Sequence, residues 1–157
     1  MKDVPRRGDL AMGSGADRRI LLTLRLLVGA LFVTHGYQKV LAGLHDPGMA
    51  GFARTVQAIG FHPGVFWAWT VTLVEFVGGI CLCLGLFTRL AGGLIVIEMV
   101  IAGLRVNLPR GFYWTKGGFE VPLIFAVLGS ILVLAGPGAL SADAFVRGRQ
   151  PRSAPRT

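Results

Sequence analysis

Four apolar stretches, residues 20–44, 64–87, 90–108 and 119–136, alternate along the chain with short polar breaks. Each is close to the roughly 20 residues that an α-helix needs to cross a hydrocarbon core about 30 Å thick. They mostly lack the polar stripe, at helical spacing, that a water-soluble bundle would carry. The breaks between them punctuate helices. Asp17 is placed to cap the first helix, Pro109 closes the third, and Gly136-Pro137-Gly138 stops the fourth. Thr88-Arg89 is nearly the whole link between the second and third, which predicts a tight antiparallel hairpin. After Asp46-Pro47, a cap followed by proline at the first helical position, Met49, Phe52, Ala53, Val56 and Ile59 share one face. That segment predicts a short amphipathic helix, lying in the interface or packed over the bundle. The predicted fold is therefore all-α, an integral membrane four-helix bundle with a short amphipathic helix in the first outer loop. Residues 20–145 would form the membrane domain, and 1–19 and 146–157 basic, disordered tails. Gly29, Gly78, Gly79 and Gly92 are expected to let helices approach closely.

Composition agrees with the pattern. Of 157 residues, 53% are hydrophobic and 15% charged, well below the roughly 25% charged of soluble domains. The net charge of +8 would suit a nucleic acid, but the cations gather at the chain ends and no base-reading motif accompanies them. They fit flanks held against anionic lipid, so the expected partner is a bilayer and not nucleic acid. Lys2, Arg6, Arg7, Arg18, Arg19, Arg147, Arg149, Arg152 and Arg156 with Arg89 would lie on one side, against Lys39, Arg54, Arg105, Arg110 and Lys116 on the other. This asymmetry places both termini in the cytoplasm. A cleaved leader is not expected, because Arg25 interrupts the first apolar run.

Charges inside a span are costly and usually face the bundle interior with a partner. With helices alternating in direction and rising about 1.5 Å per residue, His35 and Lys39 fall in the outer half of the bilayer. Glu75 and Glu98 lie near the midplane, Arg105 and Glu120 at the outer boundary, and Arg25 toward the inside. His35 and Lys39 are four apart and Glu98 and Arg105 seven apart, so each pair is expected to share a helix face. An outward-opening pocket lined by His35, Lys39, Glu75 and Arg105, with Glu120 at its mouth, follows. The competing structural account has Lys39, Arg105 and Arg25 snorkelling to the interfaces, with neutral carboxyls only fixing helix packing. Cys81 and Cys83, two apart on one helix, diverge by about 200° and are not expected to pair.

The sequence narrows the cofactors. His35 is the one histidine at membrane depth, too few for a bis-histidine haem. No glycine-rich dinucleotide turn follows a strand, and two cysteines cannot hold an iron–sulfur cluster. No covalent or metal cofactor is expected. A quinone stays open, because its carbonyls need donors such as His, Lys or Arg and its protons need a carboxylate or His relay.

Arg25-Leu26-Leu27-Val28-Gly29 and His35-Gly36-Tyr37-Gln38-Lys39 resemble the first helix of the DoxX family. Val74-Glu75-Phe76-Val77-Gly78-Gly79, the turn from Leu84 to Leu90, Gly117-Gly118-Phe119-Glu120 and Gly136-Pro137-Gly138 fit the same pattern in order, over residues 20–145. The resemblance implies a multi-pass protein of the bacterial cytoplasmic membrane. Some members are subunits of thiosulfate–quinone oxidoreductase or partners of soluble redox proteins. Arg25, His35, Lys39, Glu75 and Glu120 match the family's polar positions. Taking the predicted pocket and these positions together, Glu75 and His35 are the candidate catalytic residues, with Lys39, Arg105 and Glu120 ligand-binding and Arg25 and Glu98 structural or supporting. Three functions stay open: a membrane redox subunit acting on a quinone or small oxidisable substrate, a non-catalytic anchor for soluble redox enzymes, and a small-molecule or proton conduit. The sequence does not give the oligomeric state. The charge asymmetry makes one direct prediction: a compartment-sensitive reporter fused after Thr157 will give the cytoplasmic signal, and an exported signal would overturn the topology.

Overall fold

The computed structural model describes residues 15–42 and 48–148; the expected Asp46-Pro47 cap lies outside them. The helices are α1 (Gly15–Ala42), α2 (Gly48–Ala58), α3 (Gly64–Leu84), α4 (Thr88–Ala102), α5 (Glu120–Ala135) and α6 (Ala142–Gly148). α4 runs on through a π-helical turn, Gly103–Asn107, and a 3-10 turn, Leu108–Arg110. Three continuous apolar helical stretches, Gly15–Leu41, Gly64–Leu84 and Thr88–Arg110, are long enough to span a bilayer. α5 is apolar but has 16 residues, about 24 Å at helical rise. α1 begins five residues before the expected start of the membrane domain, with Asp17 in its first turn instead of at the cap. α6 likewise runs past residue 145.

The bundle is a ring in which α1 packs on α3, α3 on α4, α4 on α5, and α5 back on α1. Glycines set the closest approaches. A Cβ on Gly36 would lie 2.6 Å from the Phe76 backbone nitrogen, and one on Gly79 2.7 Å from that of Val33. α1 and α3 thus meet backbone to backbone. Gly92 does the same more loosely against α5, whereas Gly78, expected at such a contact, has only Ile95 at 3.9 Å. Val28, Phe32, Leu82, Ala91, Ile95 and Leu132 fill the centre, with Phe32 edge-on to Phe125 at 5.3 Å. The outside is as apolar as the inside: Leu90, Ile97, Val127 and Leu134 are all exposed. Such a continuous apolar exterior is a surface for lipid. The chain is an integral multi-pass membrane protein.

Two ends of the bundle differ. At the end where α1 starts, Arg25 is buried to 1% exposure. Its guanidinium donates to the Pro137 and Leu140 carbonyls, so it does not snorkel to an interface. Nearby, α3 ends on Gly85 in the left-handed region, with the Leu86 N–H returning to the Cys81 carbonyl at 2.8 Å. Phe87 is also left-handed (φ 48°), unusual for a residue with a Cβ. The Asp143 carboxylate accepts from the Phe87 N–H at 3.1 Å and the Thr88 N–H at 3.4 Å. A residue from α6 therefore caps α4 from a distance. At the opposite end α2 lies across the bundle. Ala53 and Val56 are buried against Ala68 of α3, with Met49, Phe52, Phe61 and Trp67 around them. This is the expected apolar face, and it packs over the bundle.

The α1–α3 contact predicts a contrast between two glycines. Gly79→Val forces a branched side chain into backbone and should cost about 1–3 kcal/mol or more, seen as a lowered melting temperature in detergent. Gly93→Ala, where a Cβ meets nothing within 4 Å, should leave the melting temperature unchanged.

Candidate functional site

The register fixed by Gly36 and Phe76 decides which polar groups meet. Measured around α1 at about 100° per residue, Lys39 lies about 60° from Gly36 and His35 about 100° from it on the same side. The long lysine stem covers that angle and the short imidazole does not. Lys39 Nζ sits 2.5 Å from Glu75 Oε1 of α3 and 4.7 Å from the centre of the Phe52 ring of α2. His35 stays exposed on the outside of the bundle, its Nδ1 2.8 Å from the Leu31 carbonyl of its own helix. Glu75 is almost fully buried, at 4% exposure. The Glu98 carboxyl of α4 is in hydrogen-bond contact with it. Ionised carboxylates only accept, so that contact needs a proton on one of the two. Among the described residues, no other hydrogen-bond partner reaches Glu75 Oε2 or Glu98 Oε2.

These three residues line a cavity of about 390 Å³ between α1, α2, α3 and α4. Its walls are otherwise mostly apolar, with Phe52, Phe61 and Trp67 on the α2 side and Leu94, Ile97 and Met99 on the α4 side. Thr55, Thr70 and Asn107 add polar atoms. This is the usual form of a small-molecule site, an apolar hollow with a few convergent polar groups.

The other expected residues lie elsewhere. Arg105 is exposed and not part of the cavity wall. The π-helical turn at Gly103–Asn107 has more residues per turn than an α-helix, which breaks the seven-residue register that would have aligned Arg105 with Glu98. The same turn brings Val106 and Asn107 to the cavity, and Asn107 Nδ2 donates to the Gly117 carbonyl at 2.8 Å. Glu120 fastens a loop: its Oε2 accepts from the Trp114 N–H at 3.0 Å, and its own N–H donates to the Phe112 carbonyl. Arg25 is at the far end of the bundle. Glu98 was expected in a supporting place and stands in direct contact with Glu75. Asn107, Thr55 and Thr70 were missed. The polar Asn107 just before Pro109 was the available signal.

Similarity to known proteins fits this arrangement. The DoxX family model matches residues 20–108, which include α1 through the π turn and so Lys39, Glu75 and Glu98. The chain belongs to the DoxX family. Among relatives of this DoxX protein, a Bacillus subtilis (strain 168) protein named "Putative oxidoreductase CatD" is 30% identical over 80% of this chain and 85% of its own. "Uncharacterized membrane protein Rv3486" of Mycobacterium tuberculosis is 33% identical over 78% of each chain. A Haemophilus influenzae protein is 31% identical over 78% of this chain and 87% of its own. No solved structure matches significantly.

The ion pair predicts an asymmetric cost. Lys39→Met strands the buried Glu75 and Glu98 carboxyls and should lower stability by about 1–3 kcal/mol or more. Adding Glu75→Gln to that variant should restore part of the loss. Thermal unfolding in one detergent, followed by circular dichroism, compares the two.

Proposed function

We propose that this DoxX protein is the membrane component of a redox system in the bacterial cytoplasmic membrane, with both termini cytoplasmic, and that its cavity handles a quinone or a similarly small oxidisable compound. The observation that carries this reading is the Lys39–Glu75–Glu98 cluster on the wall of an otherwise mostly apolar cavity among bilayer-spanning helices. A lipid-soluble ligand reaches such a site from the bilayer, where quinones reside. Interconversion of a quinone and its hydroquinone moves two electrons and two protons. In this reading the chain's own share is the protons and the positioning, and a partner redox protein exchanges the electrons. Lys39 is the cation that orients or polarises the ligand's oxygen. Glu75 and Glu98, in contact with each other, supply or receive a proton at that oxygen. His35, outside the bundle, has no part in the step. The name of the Bacillus subtilis relative supports oxidoreduction as the class of chemistry.

Glu75→Gln keeps the shape and removes the titratable proton. In membranes with matched protein levels, partner-dependent quinone turnover should fall by about 10²-fold or more, the usual share of a positioned acid or base, while membrane insertion is unchanged. Equal turnover in variant and parent would remove Glu75 from the mechanism and leave the anchor reading in its place.

A further inference from the structure

We infer that the Glu75–Glu98 carboxyl pair exchanges protons with the aqueous face beside α2 alone, and is sealed from the face where α1 starts and α6 ends. This goes beyond the proposed function, because it concerns the cluster and the core beneath it, whatever compound the cavity takes. The seal is a layer of apolar side chains from all four core helices. Val28 and Phe32 of α1, Leu82 of α3, Ile95 of α4 and Leu132 of α5 are each exposed by 3% or less and pack as one cluster. Phe125 closes edge-on against Phe32. Ile95 stands about one turn before Glu98 on α4, and Phe32 about two turns before Lys39 on α1, both on the Arg25 side of the pair. The α1–α3 seam is shut backbone to backbone at Gly29, Gly36 and Gly79. A proton crossing this layer would need water or a chain of polar groups. These side chains carry no polar atom, and a core packed this closely and lined this way stays dry.

Toward α2 the way is open. Both carboxyls line the cavity, and its wall carries further polar atoms on that side: Thr70 of α3, Asn107 of the π turn, and Thr55, which is exposed on α2. Thr70 lies five residues before Glu75, about 7.5 Å of helix rise toward α2. The Lys39 side chain keeps 25% of its surface exposed. A space of about 390 Å³ admits several waters at about 30 Å³ each, and these groups are the polar partners that such waters require. Among the described residues, Lys39 of α1 is the charged group facing the pair, and no ionisable side chain of α2 or α5 lines the cavity. Exchange is then a simple dissociation. A carboxyl gives its proton to a cavity water, and the carboxylate left behind stays beside the Lys39 ammonium. In the topology proposed above, the open face is the outer one.

The test puts a thiol at the site and asks which side of the membrane sets its protonation. Full-length Glu98→Cys, with a protease-removable tag after Thr157, is reconstituted into sealed phosphatidylcholine–phosphatidylglycerol liposomes. External protease removes the tag only where the termini face the bath, so cut and uncut molecules report opposite orientations. N-ethylmaleimide crosses the bilayer and reacts with the thiolate, whose fraction rises about tenfold per pH unit below the thiol pKa. Peptide mapping separates this adduct from any at Cys81 and Cys83. Raising the pH by a unit on the side facing α2 should speed labelling about tenfold. The same change on the other side should leave the rate unaltered. Labelling that follows the terminal side, both sides alike, or neither side would overturn the inference. No quinone enters the assay, so each of those results leaves the proposed function to its own test. Val74→Cys, on the wall of the same cavity, keeps all three charged residues and gives the same reading where Glu98→Cys does not fold.

Discussion

The backbone contact between α1 and α3 governs the rest of the molecule. Gly36 against Phe76 and Gly79 against Val33 leave no room for a side chain on either surface, so the two helices can meet in one register. With that register set, Lys39 stands just beyond Gly36 and Glu75 just before Phe76, and their charged ends come within 2.5 Å. In a bilayer, dispersion contacts of this kind drive helix association where the hydrophobic effect cannot. Small residues thus do more than allow packing. They determine which polar groups share a low-dielectric space and which are left outside it.

Three ionisable groups in that space would be prohibitive singly. Together they come close to neutrality: one ammonium, one carboxylate, and a second carboxyl whose contact with the first needs a proton. The Phe52 ring adds a favourable face for the ammonium. α2 brings that ring, and with it covers one side of the cavity. The amphipathic helix therefore completes the site as well as burying its own apolar stripe against Ala68.

Most of the fold was legible because bilayer physics writes it in long apolar runs. The four core helices, a tight turn between α3 and α4 and the face of α2 all follow from hydrophobic spacing and helix-stop residues, although the turn falls at Gly85–Phe87 and the expected link Thr88-Arg89 already belongs to α4. Lys39 and Glu75 were legible as members of one pocket because charge at that depth needs a partner. Three features were not. His35 looked equivalent to Lys39 four residues on, yet helical angle and side-chain length together decide which of the two reaches α3. The π turn at Gly103–Asn107 leaves no periodic trace in the sequence, and it takes Arg105 off the Glu98 face while bringing Asn107 in. The role of Arg25 depended on a loop more than one hundred residues away, whose carbonyls no pattern in α1 announces.

That last residue has a mechanical consequence. Arg25 ties α1 to the turn between α5 and α6, and Asp143 of α6 ties the same region to the start of α4. With the Asp143 N–H donating to the Gly85 carbonyl at the end of α3, all four core helices are cross-linked at one end, like the spring end of a clothes peg. At the opposite end, among the described residues, the links are the Lys39–Glu75–Glu98 cluster between α1, α3 and α4 and the small side chains Ala53 and Ala68 on which α2 rests. The two ends are thus fastened by different chemistry, backbone carbonyls and N–H groups at the Arg25 end and side-chain charges beside α2, so a change that neutralises the charges loosens the α2 end alone.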